Sequence, residues 1–550
     1  MRHRGLTEAA AVIAGALVLT AALTWPLVPK IDRVGRVNTD DGKLSIWNVA
    51  WVADALIVAP RSLYDANIFY PARHALAFSE ANIGAGLLAV PAWGLTGNPY
   101  LAHNTVVVIA FVLAVAGAYY LVRYLSASRE AAAVAGVLFG FCPYIFARTA
   151  HIQLLMSAGL PFAMLAFHRL VDRLTVARAL ALGVVLFGQA LSCAYYGIFA
   201  GLMVGLGTLW FAVSRGLWRS VRYWSLIGLA AAVSLGLTAP FFLPYLGVQE
   251  QGFGRTLDDA RMYSANGGAW LASSAWAHRW WLDRIEGFNE VLFPGAMALA
   301  GGLAGLWLVA RRPPDSAAPN VRRDVAGFYA ALGVLAFWAS FGPDAGLYRL
   351  LFETVPVFSL LRAPARMGLI TTLALVVLGS AAFGPWLRAR PRPAAWTAAL
   401  LVLAALELNT APLTALRDAP PVPQAYRMLA RLPRGPVAEF PYFSLRHDYP
   451  RHAEYMLGST YHWQPLVNGY SDFIPPRFRD TAVAMSYFPT RASFRILSEI
   501  GARYVVFHLN GYNRPNRADL LEGLERYRQF LRPLVQQDDV WLYEIVDWPN

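Results

Sequence analysis

Apolar runs about as long as a membrane span recur along most of the chain, and polar positions gather in the connections between them. A helix needs about 20 apolar residues to cross a bilayer. On that measure the pattern predicts about eleven spans, over 8–28, 99–122, 130–147, 152–171, 176–193, 194–214, 224–247, 291–310, 325–341, 367–387 and 394–411. With the N-terminus placed in the cytoplasm, the inner connections carry Arg123 and Arg129; Arg169, Arg173 and Arg178; Arg215, Arg219 and Arg222; Arg311, Arg312, Arg322 and Arg323; and Arg388, Arg390 and Arg392. Every inner connection is then arginine-rich, as the positive-inside bias requires. Arg2 and Arg4 precede the first span, which reads as uncleaved.

The outer side is expected to hold a loop over 29–98, a short turn around Arg148 and His151, and loops over 248–290 and 342–366. Within the first loop, the segment from Leu44 to Trp51 places Trp47 and Trp51 on one helical side. Asn48, Asp54 and Pro60 make it a poor span, so it is expected as a helix at the membrane boundary. Segment 82–95, with Pro91 and Gly94, is a second interfacial or half-inserted helix, because counting it as a span inverts the charge pattern downstream.

Past Leu408 the apolar runs stop. Pro412, Pro420, Pro421 and Pro423 mark a linker over 412–423, and 424–550 is polar enough for a soluble domain. Its pattern predicts a strand over 435–440, a helix over 494–500 stopped by Gly501, a strand over 504–507, a helix over 520–531 and a closing strand over 540–546. The expected fold is therefore mainly α: a polytopic helical membrane domain over 1–411, interfacial helices in its first outer loop, and a small C-terminal α/β domain outside the cytoplasm. An odd number of spans puts that domain outside.

Composition agrees. Charged residues make up 15% of the chain, against about 25% in soluble domains. The net charge of +13 comes almost wholly from arginine, with no lysine after Lys43. That excess is topology, and nucleic-acid binding is a poor second reading. Cys142 and Cys193 both lie in apolar segments and form neither a disulfide framework nor a metal spacing. Phosphate-cradling loops, dinucleotide fingerprints and zinc signatures are absent, which disfavours nucleotide-driven pumps and soluble-type nucleotide-sugar transferases.

Candidate chemistry clusters on the outer side. Asp40 and Asp41 stand at the start of the first-loop helix. They suit a catalytic base or a metal-binding carboxylate pair, and the plain alternative is a helix N-cap. Glu80 suits a metal ligand or a sugar-hydroxyl acceptor, or equally a first-turn charge. Arg148 and His151 suit a phosphate or metal grip, or a snorkelling side chain. Arg362 and Arg366, four apart, suit a bidentate phosphate clamp on one helix face. Tyr195 and Tyr196 fit an aromatic boundary belt. Glu286 and Glu290 reach toward the same side, or are solvated loop charges.

The acidic first loop, the polytopic core and the outer C-terminal domain together resemble the C-type (GT-C) membrane glycosyltransferases, the superfamily of the aminoarabinose and protein mannosyl transferases. Leu63-Tyr64-Asp65-Ala66-Asn67-Ile68-Phe69-Tyr70-Pro71, Leu95-Thr96-Gly97-Asn98-Pro99, Arg362-Ala363-Pro364-Ala365-Arg366 and Val467-Asn468-Gly469-Tyr470-Ser471 further resemble uncharacterised bacterial members. The resemblance implies a polyprenyl-phosphate-linked sugar donor, transfer outside the cytoplasmic membrane and inversion at the anomeric carbon. The family's first-loop acidic residue falls on Asp41, with Asp40 adjacent. A divalent cation is a possible cofactor. Many members carry an acidic residue after the third span, where this chain has Arg148 and His151.

The expected partners are a lipid-linked sugar, membrane lipids and a glycan, lipid or protein acceptor. Two rival readings stand beside the enzyme. A transporter of lipid-linked glycans calls for ionisable groups near mid-membrane, and the spans carry few. A non-catalytic envelope assembly protein would not need Asp41.

Overall fold

The computed structural model describes residues 2–252, 254–311 and 321–549; Arg312 of the expected inner loops lies outside them. The helices run in order α1 (Arg2–Leu23), α2 (Asp40–Val58), α3 (Ile83–Thr96), α4 (Pro99–Ser126), α5 (Arg129–Gly140), α6 (Pro143–Ala147), α7 (Ile152–Leu155), α8 (Gly159–Asp172), α9 (Val176–Ser192), α10 (Ala194–Ser214) and α11 (Val221–Glu250). Next come α12 (Leu257–Met262), α13 (Arg279–Leu282), α14 (Ala296–Arg311), α15 (Arg323–Ser340), α16 (Leu347–Thr354), α17 (Gly368–Arg388) and α18 (Pro393–Glu407). The C-terminal helices are α19 (Gln424–Leu429), α20 (Ala453–Ser459), α21 (Pro476–Ser486), α22 (Arg491–Ile500) and α23 (Arg514–Arg526).

All eleven expected spans are helical. Among the described residues seven helical segments are long and apolar enough to cross a membrane, and α3, α9, α14 and α18 are shorter apolar helices. The chain is a multi-pass membrane protein. Two of the seven are broken: Pro143 opens α6 after the stop at Phe141, and Met156–Ala158 separates α7 from α8.

The chain packs as two units. The first comprises Met1–Pro29, Val106–Leu243 and Gly252–Thr414; the second comprises Lys30–Thr105, Pro244–Gln251 and Ala415–Asn550.

In the first unit α17 is the central helix, buried along most of its length. Its closest partner is α14, and small residues allow the approach. A Cβ on Gly302 would lie 3.0 Å from the Leu375 carbonyl oxygen, and one on Gly305 would collide with the carbonyl oxygen of Leu378. Helices in lipid gain little from hydrophobicity, so such backbone contact is what holds them. Several of the arginines assigned to inner connections converge on carboxylates. Arg123 and Arg129 both meet Glu8, which also accepts from Tyr119. Arg215 bridges Asp172 at 2.6 Å and Asp324 at 2.7 Å.

The second unit holds a four-stranded sheet of β3 (Val437–Phe440), β4 (Tyr504–His508), β5 (Leu531–Gln537) and β6 (Val540–Ile545), in the order β3-β4-β6-β5. β3 and β4 are parallel, with Val437 opposite Tyr504; β6 is antiparallel to both its neighbours. The helix stopped by Gly501 is α22; Gly501 takes the left-handed conformation, φ 72°, and returns the chain into β4. The helix expected over 520–531 lies earlier, at α23. The residues after it form β5, an edge strand that the pattern misses. Pro533 is tolerated there because an edge strand can lack a donor, and the register slips beside it.

Filling the α14–α17 seam should be costly. Gly305→Val is expected to destabilise the protein by about 1–3 kcal/mol through overpacking. Gly201→Ala, on a helix face where a Cβ meets nothing within 4 Å, should be neutral or slightly stabilising. Thermal unfolding in detergent reads both, and equal melting temperatures for the two variants would contradict the seam.

Candidate functional site

In the second unit the candidate carboxylates open α2. Its N-cap is Thr39, whose hydroxyl accepts from the Gly42 amide at 3.2 Å. Neither aspartate is therefore the cap; both lie in the first turn, where the helix dipole favours an anion. Gly42 is required by close approach, since a Cβ there would run into the carbonyl oxygen of Arg36. Asp40 and Asp41 are half-buried. Asp40 receives Lys43 Nζ at 3.3 Å, and the same ammonium reaches Glu454 at 3.1 Å.

The rest of α2 is buried from Ser45 to Ala53. Trp47 donates to Asn67 Oδ1 at 3.2 Å and Trp51 to the Leu63 carbonyl at 2.9 Å. The face that the tryptophans were expected to turn toward a lipid boundary therefore packs into protein. A Cβ on Gly86 would strike Val52, so α3 lies directly on α2. Farther along, Asp54 accepts from Trp93 Nε1 at 3.1 Å; burial holds its pKa above the usual carboxylate value. Glu80 is half-buried and its segment is pinned from two sides. Asn48 donates to the Glu80 carbonyl at 3.2 Å, and the Tyr245 hydroxyl bonds Ser79 and Ala81.

Two stretches noted for their family resemblance turn out to be partners. Phe69 N–H donates to the Asn468 carbonyl at 3.0 Å, Tyr70 N–H to Leu466 at 2.8 Å, and Leu466 N–H to Asn67 at 2.7 Å. The Asn67 amide group also donates to Ser459 and to the Gln464 carbonyl. Buried Asn468 accepts from the Glu439 amide at 2.7 Å and donates to the Glu439 carbonyl at 2.9 Å, pairing with β3 as another strand would. In Leu95–Pro99, Gly97 ends α3 with φ 60°, and Asn98 Oδ1 accepts from the Tyr100 and Leu101 amides at the start of α4.

In the first unit the candidate cations share one aromatic cluster. Arg366 lies 4.2 Å from the centre of the Tyr195 ring, and the Tyr195 hydroxyl accepts from the Arg362 amide at 2.8 Å. The Arg362 guanidinium stands 5.1 Å from the Tyr263 ring. The two arginines do not share an α-helical face: Arg362 lies outside any helix, and Pro364–Met367 is one turn of 3-10 helix. Tyr196 is fully buried, with its hydroxyl 3.3 Å from both the Tyr144 hydroxyl and the Leu154 carbonyl. These tyrosines are thus packing and hydrogen-bonding groups rather than a boundary belt. Arg148 stacks on Tyr144 at 5.4 Å and forms an ion pair with Glu290. Glu290 is only 13% exposed at its side chain, so it is a partly buried counter-ion rather than a solvated loop charge. His151, half-buried, opens α7.

Among the described residues no three His, Cys, Asp or Glu side chains gather as a metal site. Arg148, which follows the third span, is already paired with Glu290. A further constellation, not evident from spacing, joins Ser273 to His278 at 2.7 Å and His278 to Glu407 at 3.3 Å. It has the atom order of a nucleophilic triad, but Ser273 is 1% and His278 4% exposed. Glu407 accepts from the Ala296 and Met297 amides and so caps the N-terminus of α14.

No protein-family model and no curated protein matches this chain. Solved structures do. The chain is similar to the arabinofuranosyltransferase AftD from Mycobacteria, with a TM-score of 0.62 and 16% identity, over 98% of this chain and 40% of that one. It is also similar to the archaeal oligosaccharyltransferase AglB from Archaeoglobus fulgidus, solved with an inhibitory peptide and a dolichol-phosphate. There the TM-score is 0.52 and the identity 14%, over 96% of this chain and 72% of that one. The chain thus spans less than half the length of AftD. It shares the fold of these two membrane transferases.

Removing the Asn468 amide should weaken the coupling of β3 to the segment that follows α20, leaving the Val437 backbone bonds. Asn468→Ala leaves the Glu439 amide and carbonyl unpaired in the interior, a loss of about 2–4 kcal/mol. Unfolding of the purified protein would measure it, and an unchanged melting temperature would contradict the role given to Asn468.

Proposed function

We propose that this chain is a membrane glycosyltransferase that moves a sugar from a polyprenyl-phosphate donor to an acceptor outside the cytoplasmic membrane of a bacterium-like cell. The observation that carries the reading is the fold, shared over nearly the whole chain with two transferases, one of them solved with a dolichol-phosphate. The carboxylate pair in the first turn of α2 supplies the chemistry.

The reaction is a direct displacement. The acceptor oxygen bonds to the anomeric carbon as the bond from that carbon to the phosphate oxygen breaks. The acceptor proton passes to Asp41, and the polyprenyl phosphate leaves with the electron pair. Asp40, held by Lys43, positions the turn. Arg362 and Arg366 bind the phosphate, with Arg148 as a weaker contributor because Glu290 already offsets its charge. Fixed guanidiniums stabilise the charge that develops on the leaving group without reorganising. His151 and Glu80 are assigned to substrate binding. The N-terminus is cytoplasmic and the 424–550 domain lies outside, as the arginine distribution argues. A topology reporter fused after Asn550 should be active only outside the cytoplasm; activity inside would overturn that orientation.

Asp41→Asn keeps the shape of the first turn and removes the base. The variant is expected to fold, insert and bind donor lipid while transferring sugar about 10²–10⁴ times more slowly. Asp40→Asn should cost less. Arg362→Lys should weaken donor binding, because a fork becomes a point charge. The assay is transfer by purified protein from polyprenyl-phosphate sugars. Wild-type rates for Asp41→Asn would remove the assignment, and donor binding unchanged in the Arg362→Ala/Arg366→Ala double variant would remove the clamp.

A further inference from the structure

In the first unit a groove of about 580 Å³ opens between α4, α8 and α9, formed entirely from that unit's residues. Tyr120 of α4, Phe162 and Leu165 of α8 and Val185 of α9 line its length, with Arg169 of α8 and Arg178 of α9 at one end. Its size falls within the range of pockets that enclose small molecules. The two helices contribute in matching register. Both arginines lie beside the short α8–α9 connection, 173–175. Phe162 precedes Arg169 by seven residues and Val185 follows Arg178 by seven, so the apolar lining reaches about 10 Å along each helix from its arginine. Leu180 and Val184 of α9 are exposed, so the groove borders a surface that faces lipid.

The charged end is fixed in place. Arg169 lies 5.5 Å from the centre of the Tyr124 ring, and Arg178 donates to the Arg169 carbonyl in the last turn of α8. The neighbouring carboxylate, Asp172, accepts from the Tyr124 hydroxyl and bridges Arg215 at 2.6 Å. Arg215 also pairs with Asp324, and Asp324 with Arg322. Across these linked groups Arg169, Arg178, Arg215 and Arg322 stand against Asp172 and Asp324, four positive charges against two, which leaves two for a ligand. A guanidinium carries five N–H donors in a fork that fits a phosphate, and one of Arg178's is used on the Arg169 carbonyl.

This lining calls for an amphiphile with an anionic head and an apolar chain. Phosphate alone leaves the apolar length unfilled, and a neutral chain leaves the guanidiniums without an anion. The groove is distinct from the Arg362 and Arg366 cluster. Tyr195, which bonds Arg362 and lies against Arg366, stands at the start of α10, whereas Arg215 follows the end of the same helix. Twenty residues of helix, about 30 Å, separate the two places.

We propose that the α4–α8–α9 groove is a binding site for an anionic phospholipid, with its phosphate on Arg169 and Arg178 and one acyl chain along Phe162, Leu165 and Val185. The proposal goes beyond the sugar-transfer reading and does not depend on it. The arginine distribution puts this end of the helices on the cytoplasmic side, where the leaflet is rich in anionic lipid and basic pockets between helices take its headgroups. A lipid seated there packs against the Tyr124–Asp172–Arg215 junction, and so stabilises the contact of α4 with α8.

The test is native mass spectrometry of the full-length protein, delipidated in detergent and titrated with phosphatidylglycerol or with phosphatidylcholine of the same acyl chains. Phosphatidylglycerol should bind about tenfold more tightly or better. Arg169→Gln/Arg178→Gln should abolish that preference. Ala181→Phe, at an exposed position in the groove wall, should obstruct the chain and weaken phosphatidylglycerol while leaving both arginines in place. Inorganic phosphate should not displace the lipid. Equal binding of the two lipids, a preference that survives the double Gln change, wild-type binding by Ala181→Phe, or displacement by phosphate would each overturn the proposal. Melting temperatures without lipid show which variants fold; the charge and chain variants act on separate parts of the site, and the comparison of two lipids on the wild type needs neither.

Discussion

The second unit depends on the side-chain amides of Asn67 and Asn468. Each does what a backbone peptide does, giving and accepting at fixed geometry, but from a side chain that can reach between elements. Asn67 joins the Trp47 indole of α2 to Ser459 and Gln464, and Asn468 completes the exposed edge of β3 and bonds His452 at 3.2 Å. His452 is buried, and burial pushes its pKa down to about 3, so it stays neutral and keeps a ring nitrogen free to accept. Replacing either amide by an apolar side chain strands several buried polar atoms at once. The first turn of α2 is likewise tied to residues about 400 positions later, through Lys43 and Glu454, 411 positions apart.

The membrane helices were legible because their signal is local: length and apolarity decide a span, and arginine decides its side. The C-terminal strands and the Gly501 stop were legible for the same reason. The β5 edge was not, since Pro533 and its polar alternation read as a break until an edge position is known. At the candidate site, residue types were visible and roles were not. Glu290 looked like a loop charge because its counter-ion, Arg148, is distant in sequence. Tyr195 and Tyr196 looked like a belt because spacing near a helix end does not tell inward from outward. The buried cluster of Tyr426, Glu439 and His508 was invisible because its members come from three separate elements.

The two units answer the same problem, polar groups in dry surroundings, by different means. In the first, helices close their own hydrogen bonds, and glycine lets α14 and α17 approach until backbone touches backbone. Where a helix end is left open, a carboxylate from another helix closes it, as Glu407 does for α14. In the second, the irregular segments 63–71 and 464–471 have no regular ladder, so asparagine side chains and short backbone pairings complete it. Loop conservation of shape there is bought with side-chain amides.

The interruption of the second unit in sequence has a consequence for how the protein is made. Residues 30–105 are translated early, yet the Asn67 side-chain NH2 and the Phe69 and Tyr70 N–H groups find their partners only in the stretch after 415. At about 5–20 residues per second, synthesis of the intervening 106–414 takes on the order of 15–60 s. For that interval the loop carries an apolar helix without its later packing partners. Biogenesis therefore requires something to shelter it, the translocation machinery or the lipid itself, and a ribosome that stalls within the last quarter of the message leaves a product with every membrane helix in place and an unfinished surface exposed.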